Sequence, residues 1–388
     1  MNLVSCGKIS IKILIPLFGG IIRLIGRFLL DINPKKEIVS KNPFIISIYS
    51  AFGMSLSFIP FLIYKRKNKD RDSKENNKLI TQENRESKLS LKFEYYDANR
   101  QVKKEKEKYK LIILCTLFDF SETILINAFC NNCVYNLWVF DITIISLFSY
   151  LILKKKLYKH QYLSMIIIII FGIGLNVIEY LKKGDDENKI NPIEILSKFL
   201  SEIFYSLNIV INKFNMEKNF CSPYEICLWE GLINFILFSI CLLVLNVLGL
   251  SIGDIRYPQN FYDYYNNFDL NDIIVILINI FASCFYNILV LITCNEYTPF
   301  HVLIILIINE SYYYFKFIED NIILNITGFC ILLLLFIVFL VFIEVIEFNI
   351  CEISINTIKN ISLRAGRDSC PAIKNDDDEA SENEEIEE

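Results

Sequence analysis

Ten apolar runs of about twenty residues, separated by charged or polar stretches, restrict this chain to one kind of fold. They cover residues 9–30, 43–64, 110–129, 133–153, 161–181, 192–214, 223–250, 272–294, 299–317 and 322–348. Each is long enough to cross a bilayer as a helix, and a helix satisfies its own backbone hydrogen bonds there. Of the 388 residues 53% are hydrophobic, more than a soluble chain of this length carries between its apolar runs. The expectation is an all-α polytopic membrane protein with ten transmembrane helices. The first run is short, with Lys8 and Lys12 at its start, as in a signal peptide, but Arg23 and Arg27 interrupt it, and it is read as a mature helix.

The net charge of -5 conceals an asymmetric distribution. Lysines and arginines crowd residues 65–109, the knot between Lys154 and Lys159, and the stretch holding Lys213 and Lys218. Alternate loops are acidic or nearly uncharged, among them "IGDIRYPQNFYDYYNNFDLND". The positive-inside rule therefore puts the basic loops and both termini in the cytoplasm. The basic residues flank membrane spans rather than a folded basic face, so nucleic acid is not an expected partner. The 65–109 loop reads as disordered or loosely helical, and the acidic tail 353–388 as disordered.

Most of the twelve cysteines lie inside apolar runs, where they act as small hydrophobes. Cys130 and Cys133 form a CxxC at a tight turn, read as structural filler or a strained luminal disulfide, since a metal site would need two more ligands. With two histidines in the chain and no phosphate-cradling glycine loop, no cofactor, metal or catalytic constellation is expected.

Ten spans divide into five plus five at "KKGDDENKINP", giving repeats over residues 1–187 and 188–352. An odd number of spans per repeat inverts one relative to the other, and such architectures place a binding site near the midplane between the halves.

Several segments resemble the drug/metabolite transporter (EamA-like) superfamily, and within it the F-type branch of the solute carrier 35 family. "LILKKKLYKHQYLSMIIIIIFGIGL" is similar to that branch's fourth-to-fifth helix signature, and "NPFIISIYSAFGMSLSFIPFLIYK" to its second helix. "LFDFSET" resembles the Asp-bearing third helix at Asp119, and "LWEGLINFILF" the Glu-Gly pair of helix seven at Glu230 and Gly231. "FIEVIEFNICEI" resembles the closing segment of helix ten. The resemblance spans most of residues 9–352. It departs at "NLWVFD", where the family carries a positive residue, and at "TPFHVLIILIINES" in helix nine. It implies an alternating-access transporter of an internal membrane such as the Golgi, lysosome or vacuole.

Ionisable groups inside a bilayer are costly and mark candidate sites. Arg23 and Arg27 share a face of helix one, where they either grip an anionic substrate or, for Arg27, snorkel and pair with Asp31. Asp119 and Glu122, three apart on helix three, either pair with those arginines or carry a coupling proton. Asp141 suits a proton-coupled or cation-facing role, and Glu230 beside Trp229 either a cavity wall or interfacial anchoring. Lys198 and Glu202 read as a self-contained i, i+4 pair, and Asn208, Asn212, Asn279, Asn287 and Asn309 as ligand contacts or interhelical glue. Glu344 and Glu347 read as solvated ends of helix ten. The expected partners are a small polar metabolite, with a nucleotide sugar or other organic anion, an amino acid, a small peptide or an organic cation among the options, and membrane lipids, with a homodimer allowed. The other reading is an adaptor that keeps the fold and acts through its loop and tail.

Overall fold

In the computed structural model the described residues are 14–26, 43–67, 90–129, 137–187, 192–249, 251–252, 255–256, 270–308 and 322–344. They form α1 (Leu14–Gly26), α2 (Phe44–Lys67), α3 (Ser90–Phe129), α4 (Asp141–Leu153), α5 (Lys159–Glu187) and α6 (Pro192–Asn219). The remaining helices are α7 (Pro223–Leu248), α8 (Leu270–Glu296), α9 (Pro299–Ile308) and α10 (Ile322–Phe342). The strands among the described residues are a two-residue antiparallel pairing, Ser251 with Arg256 and Ile252 with Ile255.

Six of these helices are long and apolar enough to cross a membrane: α2, the Glu105–Phe129 part of α3, the Lys159–Ile178 part of α5, α7, the Asp272–Glu296 part of α8, and α10. The described parts of α1, α4 and α9 are shorter apolar helices. The surface of the bundle is apolar, and polar side chains are buried inside it among an apolar core. Ile166, Ile170, Ile173 and Val177 form an exposed stripe on α5, whereas Asp141, Glu202, Asn212, Glu230 and Asn234 are buried. A chain in water has the reverse arrangement; this one suits a solvent of lipid.

Local sequence sets the helix ends. Pro223 opens α7 after an extended Ser222, and Gly249 closes it in the left-handed conformation that glycine adopts without strain. The lysine knot is a five-residue turn: Lys154 takes φ 55 and its N–H caps Ser149 O, after which α5 starts at Lys159. Pro60 has no N–H and crowds the preceding turn, so α2 switches locally to tighter bonds, Leu56 N to Gly53 O (3.1 Å) and Ser57 N to Met54 O (3.0 Å). Residues 90–109, read as part of a loop, extend α3 as continuous helix. Their Glu and Lys are good helix formers.

The principal helix contacts follow a rule. Here α2 packs on α7, α5 on α10, α3 on α6 and α7, α4 on α6, and α8 on α2. Gly19 and Gly26 set α1 against Leu289 and Ala282 of α8, and Gly19 and Gly20 set it against Ile305 and Ile308 of α9. Advancing each label by five reproduces the set: α3–α6 becomes α8–α1, α4–α6 becomes α9–α1, and α8–α2 becomes α3–α7.

Candidate functional site

A cavity of about 440 Å³ lies among α1, α2, α3, α6, α7 and α8, within the usual range for small-molecule sites. Each helix supplies one face at helical spacing. On α3 the lining residues are Asp119, Glu122, Thr123, Ile126 and Asn127; on α6 they are Tyr205, Asn208, Ile209 and Asn212. Glu230, Asn234 and Phe238 come from α7, one turn apart, and Asn279, Ser283, Tyr286 and Asn287 from α8. Ser47, Ser50 and Met54 of α2 and Arg23 of α1 complete the wall.

Of the six residues singled out from sequence, Arg23, Asp119, Glu122 and Glu230 meet here. The Arg23 guanidinium lies over the Tyr286 ring, 4.4 Å from its centroid, and donates to the Tyr286 hydroxyl. Asn234 Nδ2 donates to Asp119 Oδ2. Asn212 Nδ2 donates to Glu230 Oε1 (2.9 Å) and to Asn208 Oδ1 (2.7 Å). Glu122 lies within electrostatic reach of Asp119, Glu202, Lys198 and Arg23. Arg27 and Asn309 lie outside the described residues, as do Cys130, Cys133 and Glu347.

Asp141 does not line the cavity. It is fully buried on α4 and accepts from Ser206 Oγ (3.4 Å) on α6. Ser206, Glu202 and Lys198 form a neighbouring stripe of α6 at i, i+4 spacing, and Lys198 Nζ sits 2.5 Å from Glu202 Oε1, the self-pairing expected. A basic residue is thus near Asp141 in space, although none is near it in sequence.

Ion pairs tie the helices together at the end where α3, α5 and α7 begin. Lys108 pairs with Glu225 (2.5 Å), and Asn215 Nδ2 donates to Lys108 O (3.3 Å). Lys155 pairs with Glu217 (3.0 Å), which also meets Lys213 (3.3 Å), and Lys213 Nζ donates to Asn295 O (2.7 Å). Burial works to raise the Glu217 carboxyl, but the hydrogen bond from Lys155 and the charges of both lysines outweigh it and hold it below its ordinary value. Burial, followed by the charge of Glu225, pushes the Cys221 thiol well up. Glu344 corrects the expectation of a solvated side chain: it is 15% exposed and lies 3.1 Å from His160 Nε2, because α5 packs along α10 and brings its first turn to that end.

Asn234, Tyr205 and Tyr286 were not singled out in the sequence. Asn234 could have been found from its i+4 spacing to Glu230; the tyrosines carry no comparable signal, because either residue type serves equally as packing. No protein-family model matches the chain, and no curated protein matches it in sequence.

Proposed function

We propose that the protein is a ten-helix transporter of the drug/metabolite type in an internal membrane, moving a small polar metabolite by alternating access between two inverted five-helix halves. The observation that carries this reading is the cavity: a chamber of about 440 Å³ walled by three helices from each half and holding Arg23, Asp119, Glu122 and Glu230. A membrane adaptor has no need of such a chamber, and apolar side chains would fill the space at lower cost. The contacts that recur on advancing each helix by five support the repeat.

The lysine-rich end is the cytoplasmic one in this reading, with both termini on that side. The pairs Lys108–Glu225 and Lys155–Glu217 then close the cytoplasmic end by tying α3 and the α4–α5 turn of the first half to α7 and α6 of the second. The cavity-lining residues Ile46, Asn127 and Asn279 run toward the opposite, luminal end. Alternation consists of breaking the cytoplasmic pairs while the luminal ends of α2, α3 and α8 approach one another.

The test is uptake and exchange in proteoliposomes preloaded with a metabolite mixture, read by mass spectrometry, with Arg23→Ala alongside the wild type. Exchange of a defined compound that the substitution abolishes supports transport. A folded protein that moves nothing, with or without a pH gradient, sinks the proposal in favour of the adaptor.

A further inference from the structure

We propose that the ligand of this cavity is a protonated amine, an amino acid or polyamine, rather than a nucleotide sugar or other organic anion; this deepens the reading of the cavity as the transport site. The first observation is the charge of the wall. Its Arg, Lys, Asp and Glu residues among the described lining are Arg23, Asp119, Glu122 and Glu230, three carboxyls to one base. Arg23 is already engaged by the ring and hydroxyl of Tyr286.

The second observation concerns the amides. Asn212 spends both amide hydrogens on Glu230 and Asn208, and Asn234 donates to Asp119. In these bonds the carboxyl oxygens accept, so each amide turns its nitrogen toward them. The oxygens therefore face the other way. Asn212 and Asn234 are 3% and 1% exposed, and neither Oδ1 has a hydrogen-bond partner among the described residues. Glu122 Oε2 is in the same position. These three oxygens are covered by their neighbours, so only a movement of the wall would bring them to a ligand.

An ammonium group suits this wall, because it brings a positive charge and up to three N–H donors to its three carboxyls. A diphosphate or dicarboxylate brings only acceptors and adds negative charge to three carboxyls in a low-dielectric chamber. Waters can occupy the cavity, and the ammonium displaces them with equivalent bonds and better charge.

The experiment measures thermal stabilisation of the purified full chain in detergent by lysine, spermidine, UDP-glucose and malate at matched ionic strength, with exchange of the same four compounds in proteoliposomes. Lysine or spermidine should raise the melting temperature by roughly a few degrees at saturating concentration. Glu122→Gln keeps the shape and removes one charged acceptor, so it should weaken that binding by about ten- to a hundredfold. Stabilisation by UDP-glucose or malate without the amines, or by none of the four, overturns the inference. Amine binding without any exchange upholds the ligand class and removes the transport reading; exchange of UDP-glucose or malate alone does the opposite. Should Glu122→Gln fail to fold, the ranking of the four compounds on the wild type decides.

Discussion

Gly231 of α7 lies against the backbone of α2 at Ser55: a Cβ at Gly231 would stand 2.5 Å from the Ser55 nitrogen and 2.7 Å from Met54 Cβ. The contact falls where α2 leaves regular helix geometry ahead of Pro60, and Cys227 Sγ and Ser57 Oγ bond across the same junction, to Met54 O (3.7 Å) and Tyr224 O (3.2 Å). Small residues at such crossings let helices meet where lipid gives no hydrophobic drive. Gly231→Ala forces the two helices apart and should cost about 1–3 kcal/mol, as overpacking does elsewhere. A thermal melt in detergent checks this. A melting temperature equal to the wild type would mean that α2 and α7 do not approach this closely.

Arg23 and Tyr286 act as a unit across α1 and α8. Tyr286→Phe keeps the ring beneath the guanidinium and removes the hydroxyl that receives its N–H, whereas Arg23→Lys keeps the charge but loses the planar fork. If the pair positions α1 over the cavity, both variants should lower exchange, and Arg23→Lys by at least about tenfold, the equivalent of roughly 1.4 kcal/mol. Initial-rate exchange in proteoliposomes measures both. Full activity in Arg23→Lys would show that only the charge matters.

Much of the fold was legible because lipid imposes one requirement, and the apolar runs answer it in plain sequence. The turn at Lys154, the opening of α7 at Pro223 and the shared face of Asp119 and Glu122 all follow from local spacing. The site was legible only in part. Asp119, Glu122, Glu230 and Arg23 stand out as charges in apolar runs, but Asp141 stands out equally and lies outside the cavity. Whether a buried carboxyl faces a cavity or a neighbouring helix depends on how α4 and α6 pack, and no spacing within α4 encodes that. Lys198 shows the same limit from the other side: paired with Glu202 one turn away, it gives no sign of lying near Asp141. Residues 90–109, read as disordered or loosely helical, continue α3 as regular helix, and their charged sequence has no apolar stripe to separate the two readings.

Asp141 offers a separate test of what lies behind the cavity wall. It touches Ser206, and the Lys198–Glu202 pair and Glu122 act on it electrostatically. Since it does not line the cavity, Asp141→Asn should leave the half-saturating substrate concentration within about twofold of wild type while lowering turnover. This is the pattern of a residue that acts on a step other than binding. A rise in that concentration at unchanged turnover would place Asp141 in contact with substrate.

The ion pairs at Glu225 and Glu217 make the last prediction, and Cys221 is their natural reporter. Its thiol is buried beside Glu225, 3.8 Å from Oε2, and burial with that charge keeps it protonated and unreactive at neutral pH. Alkylation mapped by mass spectrometry should therefore be slow at Cys221 in the closed conformation. It should quicken in Lys108→Glu, which places two acids at the Glu225 contact, and slow again in the double swap Lys108→Glu with Glu225→Lys. Glu217 adds a pH limit. Its carboxyl titrates below the ordinary value, so its contribution to closure is complete above about pH 4.3 and disappears as the pH falls through the depressed value. Closure should hold across the neutral range, and in Glu217→Gln the acid-induced loss of Cys221 protection should flatten. Rapid labelling of wild-type Cys221 at neutral pH would mean that these ion pairs do not shut this end.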